Sequence, residues 1–443
     1  MTIGYPRRPA RRALGALVAV VLASTALQAC SASASSGGSS DSANAALTLM
    51  TWGSASYANA QFDIYKKDFP SDAQHQSLAV QVGGANDTDV VSKLRLALTS
   101  HKNIPDIVEL NYNEVAEFAA QGELADIQPY VASYLPGLTP ASKTLMQYDG
   151  HYVAVPYEVE ERLWYYRKDM FAAAGIDASQ IRTQADFIAA GKKLQAKYPH
   201  SYLWNLAASP QQYILLEAAA GDNAQVFDKS TGAFNATSSG LSQVFTDFKQ
   251  LRESGVVDPN FDDFTPDWQA ALANGTLASV PILSWFTSFL PKYAPKLAGD
   301  WAVAPWPGIG HVGGGEPGGS VFVIPAGAPH KAAAAKFLAD TYMTEKGSLD
   351  VDAESGEIPN VTAALSSPSV VNAPYFGPSL IQAYQQVGGG YSAFAYDPAA
   401  LSEMTILNNA LDEYLAGPDA SPSAQLSHAQ SQLTAQIGNP YTK

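Results

Sequence analysis

The chain has 443 residues, of which 47% are hydrophobic and 15% are charged, and 26 basic against 41 acidic side chains give a net charge of −15. This acidity argues against binding to nucleic acid or to anionic surfaces, because both require positive charge on the protein. The length and the apolar content suffice for two or three domains with packed cores. Only one cysteine is present, so no disulfide within the chain can add stability.

The first thirty residues have the pattern of an export signal. Four arginines between Arg7 and Arg12 precede an uncharged apolar run over residues 13–27. That run is too short for an ordinary membrane-spanning helix and is typical of a secretory signal peptide. It ends at Ala29-Cys30, a small residue before the sole cysteine, which is the form of a lipoprotein cleavage site. The arginine pairs would also suit twin-arginine export rather than the general secretory route.

We therefore predict a signal peptide over residues 1–29 and a lipid on Cys30, the first residue of the mature protein. Residues 30–45 are rich in Ser, Gly and Ala and are predicted to form a flexible tether to the extracellular face of the cell membrane. Cleavage removes four arginines and no acids, which lowers the net charge to −19.

Strand and helix patterns alternate along the mature chain. Strands are predicted at 45–53, 77–84, 104–110, 151–157 and 162–167, and helices at 59–69, 87–98, 113–122, 170–175, 183–198 and twice after residue 400. Asp87 or Asp89 is available to cap the second of these helices. Such alternation with short connections predicts an α/β fold with parallel or mixed sheets covered by helices.

A glycine-rich stretch raises the question of a dinucleotide site. Gly308, Gly310 and Gly313 match G-x-G-x-x-G, a motif that needs a strand before it and a helix directly after it. Here Pro317 follows, and the next element, "SVFVIPAG", alternates as a strand does. The sequence therefore indicates a loop in which glycines allow close approach of the backbone, and we predict no cofactor.

Motifs for catalysis and metal binding are scarce. The seven histidines are scattered without metal-ligand spacing, and neither a G-x-S-x-G elbow nor a phosphate loop occurs. Glu158, Glu160 and Glu161 cluster in "PYEVEERL", where strand alternation would place Glu158 and Glu160 on one face. They form either a solvated strand end or acceptors for a polar ligand. A carboxylate pair could also hydrolyse a glycoside if held about 5–9 Å apart.

Aromatic residues lie at the ends of predicted strands or in the loops that follow them. In open α/β sheets these are the positions where ligands bind. A flat ring beside hydrogen-bonding groups suits a sugar, whose ring faces are apolar and whose rim carries hydroxyls. The aromatic residues in question are Trp52, Tyr112, Tyr157, Trp204, Trp268, Trp285 and Trp306.

Six segments, in this order along the chain, together with the lipoprotein-type cleavage site, resemble a known family. They are "LTLMTWG", "IPDIVELNYNEVAEFAAQGELADIQPYV", "HYVAVPYEVEERLWYYRKDMFAAAGI", "ALANGTLASVPILSWF", "GEPGGSVFVIPAGAPHKAAAAKFLADTYM" and "GEIP". Over residues 46 to 436 the chain resembles the extracellular solute-binding proteins of carbohydrate ABC transporters, the group that includes maltose-binding protein.

The resemblance implies an α/β, two-lobed periplasmic-binding-protein-like (type II) fold with a ligand cleft between the lobes. Lobe 1 would comprise residues 46–155 plus 304–348, and lobe 2 residues 156–303 plus 349–440. Trp285 would stack on the sugar, Glu160 would accept its hydroxyls, and Tyr396 and Asp397 would lie at the rim. The implied ligand contacts are Trp52, Ser54, Asn111, Tyr112, Asn113, Glu158, Glu160, Gln211 or Gln212, Trp285, Gly319 and Ser320.

The implied function is capture of a mono- or oligosaccharide by closure of the cleft and its delivery to an ABC transporter permease. The protein would act as a monomer without catalytic residues or metal. One alternative is a secreted glycoside hydrolase that uses two of Glu158, Glu160 and Glu217. Another is the same scaffold serving a peptide, a polyamine or a metal chelate, although no set of arginines or histidines near the strand ends favours anions or metals.

Overall fold

The computed structural model describes residues 45–206, 226–308, 319–387, 396–417 and 420–441. Residues 1–44, with the predicted signal peptide, Cys30 and nearly all of the tether, lie outside the described residues, as do Gln211, Gln212 and Glu217. Over the described ranges, none of the helices combines the length and the apolar character needed to span a membrane.

The strands form two principal sheets and three short pairings. The first sheet has the order β2-β1-β3-β14-β6 and the second the order β12-β7-β13, while β4 pairs with β5, β8 with β11 and β9 with β10. Their bounds are β1 (Ala46–Trp52), β2 (Ser77–Gly84), β3 (Ile107–Asn111), β4 (Gln147–Tyr148), β5 (His151–Tyr152), β6 (Ala154–Pro156), β7 (Arg162–Arg167), β8 (Trp204–Asn205), β9 (Phe227–Asp228), β10 (Ala233–Phe234), β11 (Val257–Asp258), β12 (Ser279–Leu283), β13 (Trp301–Pro305) and β14 (Ser320–Val323).

The helices surround these sheets. They are α1 (Ser56–Asp68), α2 (Pro70–Ala73), α3 (Asp87–Ser100), α4 (Tyr112–Ala120), α5 (Gln128–Val131), α6 (Pro140–Leu145), α7 (Lys168–Ala173), α8 (Gln184–Lys197), α9 (Ser239–Ser254), α10 (Pro266–Asn274), α11 (Leu290–Tyr293), α12 (Lys331–Tyr342), α13 (Glu345–Ser355), α14 (Pro368–Val371), α15 (Ser379–Val387), α16 (Ala400–Ala416) and α17 (Pro422–Gln436). Short 3-10 helices span Leu135–Gly137, Ala178–Gln180, Ser284–Ser288, Pro295–Leu297 and Ala364–Ser366.

The first sheet is mixed and is covered on both faces. β1 runs parallel to β2 and β3, whereas β14 runs antiparallel to β3 and β6. Leu47 and Leu49 pack with α1 and α12 on one face, and Met50 packs with α3 on the other. Successive strand residues point to opposite faces, so the apolar sequence of β1 serves two cores. This mixed, helix-covered sheet confirms the predicted α/β class.

The second sheet is antiparallel and has β7 at its centre. Leu163 and Tyr165 face a core that contains Trp268, whereas Trp164 faces the opposite core. Trp204, Trp268 and Trp306 are at most 4% exposed and belong to these cores. They are therefore packing residues rather than a ligand platform, and the predicted strand-end position is wrong for Trp268, which lies within helix α10.

Two local predictions had different outcomes. The prediction that Asp87 or Asp89 caps α3 is wrong: Asn86 is the N-cap, and its side chain accepts a hydrogen bond from Asp89 N at 3.1 Å. Both aspartates instead lie in the first helical turn, where negative charge is favourable.

After Gly308, the next described element is the strand β14 rather than a helix, as the sequence indicated when it disfavoured a dinucleotide site.

Two segments connect the principal sheets. β6 and β7 belong to different sheets, so residues 157–161 pass from the first to the second, and the chain returns between β13 and β14. Asn360 fixes the first connection, because its side-chain amide donates to the carbonyls of Pro156 at 2.9 Å and Tyr157 at 3.0 Å. The lobe limits inferred above remain a prediction.

Candidate functional site

A cavity of 520 Å³ opens beside these connecting segments. Its volume falls within the roughly 300–1,000 Å³ of small-molecule sites. Aromatic, carboxyl and small polar side chains from both principal sheets contribute to its wall. The lining residues are Trp52, Ser56, Tyr57, Glu109, Asn111, Tyr112, Asn113, Tyr157, Glu158, Leu283, Trp285, Ser288, Phe289, Lys292, Gly319, Ser320, Glu354, Ser355, Glu357 and Tyr396.

Two of the lining residues, Glu158 and Glu357, belong to a cluster of three buried carboxyl groups. Carboxylate oxygens of Glu158, Glu160 and Glu357 lie within 4.8 Å of one another, and each residue is at most 8% exposed. Burial raises the pKa of all three carboxyl groups, and the charge of Glu158 raises the pKa of the other two further. Such neighbours hold their protons more tightly, because ionised carboxylates are costly to desolvate and repel each other.

Glu109 adds a fourth buried carboxyl to the wall. It lies on β3, two residues before Asn111, so strand alternation places both residues on one side. The Thr51 hydroxyl donates a hydrogen bond to its carboxylate. Burial raises the pKa of Glu109 to about 8, although hydrogen bonds from Thr51 and Ser320 act in the opposite direction. Burial therefore favours the protonated form of Glu109 at neutral pH.

Hydrogen bonds hold the cluster across three segments of the chain. Glu160 accepts hydrogen bonds from the Ser284 hydroxyl at 2.7 Å and from the backbone N–H of Trp285 at 2.6 Å, at the start of the 3-10 helix Ser284–Ser288. Glu158 accepts one from the backbone N–H of Ser320 at 3.2 Å. The carboxyl groups therefore join the first connection to elements of both principal sheets.

Gly319 permits the close packing of the second connection against the first. Its φ is +107°, and a Cβ there would lie 2.8 Å from the carbonyl oxygen of Glu158 and 2.9 Å from Cγ of Glu160. A side chain would therefore be strained and would clash with the carboxyl segment. At Gly319 the backbone thus approaches another segment of the chain closely, whereas residues 309–318 of the glycine stretch lie outside the described residues.

Aromatic rings form the outer walls. Tyr57 and Tyr157 stack with centroids 5.8 Å apart. Trp285 is half-buried and is braced edge to face by Phe286 at 5.8 Å and Phe289 at 5.3 Å. Flat apolar surfaces beside buried acceptors are what a sugar ring requires.

Most of the predicted contact residues that the structure describes come together here. Ser54 does not line the cavity; its hydroxyl lies 2.9 Å from that of Ser56, which does. Glu160 does not line the cavity but hydrogen-bonds to Glu158, which does. Asp397 hydrogen-bonds to Glu403 and does not line the cavity either. Gln211 and Gln212 lie outside the described residues. The predicted residues that do line the cavity are Trp52, Asn111, Tyr112, Asn113, Glu158, Trp285, Gly319, Ser320 and, at the rim, Tyr396.

Several lining residues were missed by the sequence analysis. Glu109 could have been found, because it alternates with Asn111 along a recognised strand. Glu357 lies in "GEIP", a segment recognised for its family resemblance but not for its carboxyl group. Tyr57 and Phe289 have no sequence signal that separates them from core residues. All four line the cavity.

The carboxyl cluster has the residue types of a cation site. Glu158, Glu160 and Glu357 each offer one oxygen to a common point. Calcium takes six to eight oxygen ligands, so three carboxylates would supply the minimum only if each bound through both of its oxygens. Their bonds to Ser284, Trp285 and Ser320 also orient two of them without an ion. We therefore treat the cluster as part of the cavity wall.

Comparison with known proteins places the chain in a family. The family model of the bacterial extracellular solute-binding proteins matches residues 60–378, well over half of the chain. The protein therefore belongs to this family of extracellular solute-binding proteins.

Individual relatives are more distant. The arabinooligosaccharide-binding protein of Halalkalibacterium halodurans is 23% identical over 261 residues, and the match covers 58% of each chain. A protein with the same description from Bacillus subtilis is 22% identical over 266 residues, with 57% of this chain and 59% of the relative covered. The chain thus spans less than three fifths of the length of the curated relatives that it matches.

Solved structures share the whole fold. The galacto-N-biose-/lacto-N-biose I-binding protein of Bifidobacterium longum, in complex with lacto-N-biose, aligns with a TM-score of 0.74 at 18% identity, covering 89% of this chain and 97% of that one. An ABC transporter associated binding protein of B. animalis subsp. lactis, in complex with β-1,6-galactobiose, aligns with a TM-score of 0.71 at 21% identity. This alignment covers 88% of this chain and 96% of that one. These alignments confirm the predicted type II periplasmic-binding-protein fold.

Glu161, next to the cluster, allows the effect of burial on the pKa of a single carboxyl group to be tested. Its side chain is fully buried, and neither carboxylate oxygen has a hydrogen-bond partner within the described residues. Burial raises its pKa from 4.5 to about 8. Between pH 4.5 and 8 the folded protein therefore keeps a proton on Glu161 that the unfolded chain releases. The contribution of this protonated carboxyl to the free energy of unfolding is complete below pH 4.5 and is lost as the pH rises towards 8.

We predict that Glu161→Gln makes the free energy of unfolding less dependent on pH between 4.5 and 8. The wild-type carboxyl contributes a fall of about 1.4 kcal/mol per pH unit in this window, and glutamine does not titrate. Urea denaturation at pH 5, 6, 7 and 8 measures the slope. Glu354→Gln, at an exposed carboxyl, is the control and should keep the wild-type slope. Equal slopes for wild type and Glu161→Gln would contradict the prediction.

Proposed function

We propose that this protein is the substrate-binding lipoprotein of an ABC importer, which captures a sugar in the cavity and delivers it to a membrane permease. One observation carries the proposal: flat aromatic faces and buried carboxyl acceptors line the same cavity. Aromatic faces pack on the C–H faces of a sugar ring, while carboxylates accept its hydroxyls in charge-assisted hydrogen bonds.

Capture proceeds by closure of the cavity around the ligand. Trp52 and Glu109 come from the first sheet, whereas Trp285 and Phe289 come from the segment that follows β12 in the second. A ligand that contacts both sets binds the closed arrangement more tightly than the open one and thereby shifts the population towards it. The closed, loaded form then presents itself to the permease.

Sugars are also the ligands named for similar proteins. The curated relatives are described as binding arabinooligosaccharides, and the two solved structures contain lacto-N-biose and β-1,6-galactobiose. These ligands support a neutral carbohydrate as cargo here. They favour it over the peptide, polyamine or metal chelate that the same scaffold could hold.

The geometry of the carboxyl groups favours binding over hydrolysis. A glycoside hydrolase needs two carboxyl groups on opposite sides of the scissile bond. Glu158 hydrogen-bonds directly to Glu357 and to Glu160, so no sugar ring fits between any two of these bonded groups. Glu217, the third residue of the hydrolase alternative, lies outside the described residues. The relatives are also binding proteins rather than enzymes. We therefore propose that the ligand leaves the cavity chemically unchanged.

The first experiment is a thermal-shift screen of the chain from residue 31 onwards against mono- and oligosaccharides, with analysis of the recovered ligand. A ligand at one hundred times its Kd stabilises the protein by about 2.7 kcal/mol. We expect one sugar class to raise the Tm and to be recovered intact. Trp285→Ala should strongly reduce this shift, whereas Leu96→Ala, at a side chain that is 69% exposed on α3, should leave it unchanged.

Other outcomes would contradict the proposal. Recovery of cleaved sugar would indicate an enzyme. A response to peptides or polyamines, with none to sugars, would keep the fold and overturn the carbohydrate assignment.

We further propose that Cys30 carries the lipid anchor and that the protein acts as a monomer on the outer face of the membrane. Cys30→Ser removes the thiol that would be acylated, so we expect the protein to appear in the culture medium rather than in the membrane fraction. Immunoblotting of the two fractions measures this distribution. Cys30→Ser protein that stays with the membrane as fully as wild type would contradict lipid anchoring.

A further inference from the structure

A second cavity of 220 Å³ adjoins the first. Tyr112 and Tyr396 line both cavities, and their rings stand edge to face with centroids 5.7 Å apart. Tyr112 is only half-buried. The two tyrosines therefore form a common wall, and a ligand that extends beyond the first cavity on this side runs along their rings.

The second cavity is built from five separate parts of the chain, one of which is Tyr396, in the segment before α16. Helix α4 supplies one wall, the β4–β5 hairpin another, the turn between β9 and β10 a third, and the C-terminal residues the fourth. The hairpin turns at Asp149 and Gly150, with φ values of +47° and +84°. Both residues lie in the left-handed region that a two-residue Asp-Gly turn requires. The lining residues are Tyr112, Val115, Ala116, Gln147, Tyr148, Asp149, Lys229, Tyr396 and Tyr441.

The lining of this cavity has the chemistry of a sugar site. Four phenol rings provide flat surfaces, while Gln147, Asp149 and Lys229 provide donors and acceptors. The Lys229 ammonium lies 4.5 Å from the ring centroid of Tyr441, a cation–π contact that holds both side chains in place. One acidic and one basic residue balance each other, which suits a neutral polyhydroxyl group better than an ion.

A third cavity adjoins the second. Its volume is 890 Å³, and it shares Tyr148, Asp149, Lys229 and Tyr441 with the second. The three cavities thus follow one another through shared side chains. A ligand with one ring in the second cavity still has space ahead of it for further rings.

We propose that the second cavity is a binding subsite for an additional sugar ring, so that the cargo is an oligosaccharide that extends past Tyr112 and Tyr396 towards Tyr148 and Tyr441. This inference rests on the proposed function and makes it more specific. A monosaccharide or a compact polyol fills only the main cavity and makes no contact with Tyr148, Lys229 or Tyr441.

The test is the dependence of affinity on ligand length. Titration calorimetry with arabino-, malto- and galacto-oligosaccharides of one to five rings compares the wild-type mature chain with Tyr441→Ala and Tyr148→Ala. For the series that binds, we expect the wild-type Kd to fall at least tenfold when the ring that enters the second cavity is added. Both variants should lose this gain and keep wild-type affinity for the shorter members. Tyr148→Phe should retain the gain, because it keeps the ring surface.

Each outcome decides between the two proposals. Equal affinity for all lengths of a series that binds would overturn the subsite and leave sugar binding intact, as would a gain with length that both alanine variants preserve. Absence of binding by every series at every length would overturn the proposed function itself. Tyr441 lies outside every described helix and strand, so Tyr441→Ala keeps the test available if Tyr148→Ala fails to fold. Because Tyr441 packs against Phe227, the Tm of the unliganded variant is compared with that of the wild type.

Discussion

Glu109, Glu158, Glu160 and Glu357 lie buried together where the two principal sheets meet, and in the described part of the chain none of them forms an ion pair. Buried charge of one sign is costly unless protons, hydrogen bonds or a ligand compensate for it. Backbone N–H groups, hydroxyls and retained protons supply part of that compensation. The remaining acceptor capacity faces the cavity, where hydroxyls of a bound ligand can reach it.

This arrangement explains why the connections between the sheets are packed so tightly. Gly319 lets one connection approach the carboxyl segment of the other, and Asn360 fixes the start of that segment through two backbone carbonyls. Trp285 lies at the start of a 3-10 helix, and its backbone N–H donates a hydrogen bond to the carboxylate of Glu160. Glu158 hydrogen-bonds to the same carboxylate. Acceptors and the stacking ring are therefore positioned by one network, which is the preorganisation that selective binding needs.

The sequence predicted the fold well, because its signals are local. β1, β2 and β7 follow from apolar and β-branched runs, and the family segments occur in the right order. Alternation also indicated that Glu158 and Glu160 share a face. What alternation could not show is that Glu160 turns towards Ser284, 124 residues away, while Glu158 faces the cavity.

The residues that were missed depend on non-local packing. Glu357 and Phe289 reach the cavity only after distant segments fold against each other. Likewise, the sequence does not show whether a tryptophan faces the cavity or a core, because distant elements that pack around it decide this. Trp285 lines the cavity, whereas Trp268 is buried in a core. The cap of α3 was missed by a single residue, because Asn86 and Asp87 are both good N-cap residues.

We propose that buried carboxyl groups in the cavity accept the hydroxyls of the bound sugar. Titration of Glu158→Gln with the sugar that stabilises the wild-type protein tests this most directly. Hydrogen bonds to an ionised carboxylate contribute about 1.5–3 kcal/mol, so at a pH at which Glu158 is ionised we expect Kd to rise roughly ten- to one-hundredfold, with the sugar recovered intact. An unchanged Kd for Glu158→Gln would contradict the account.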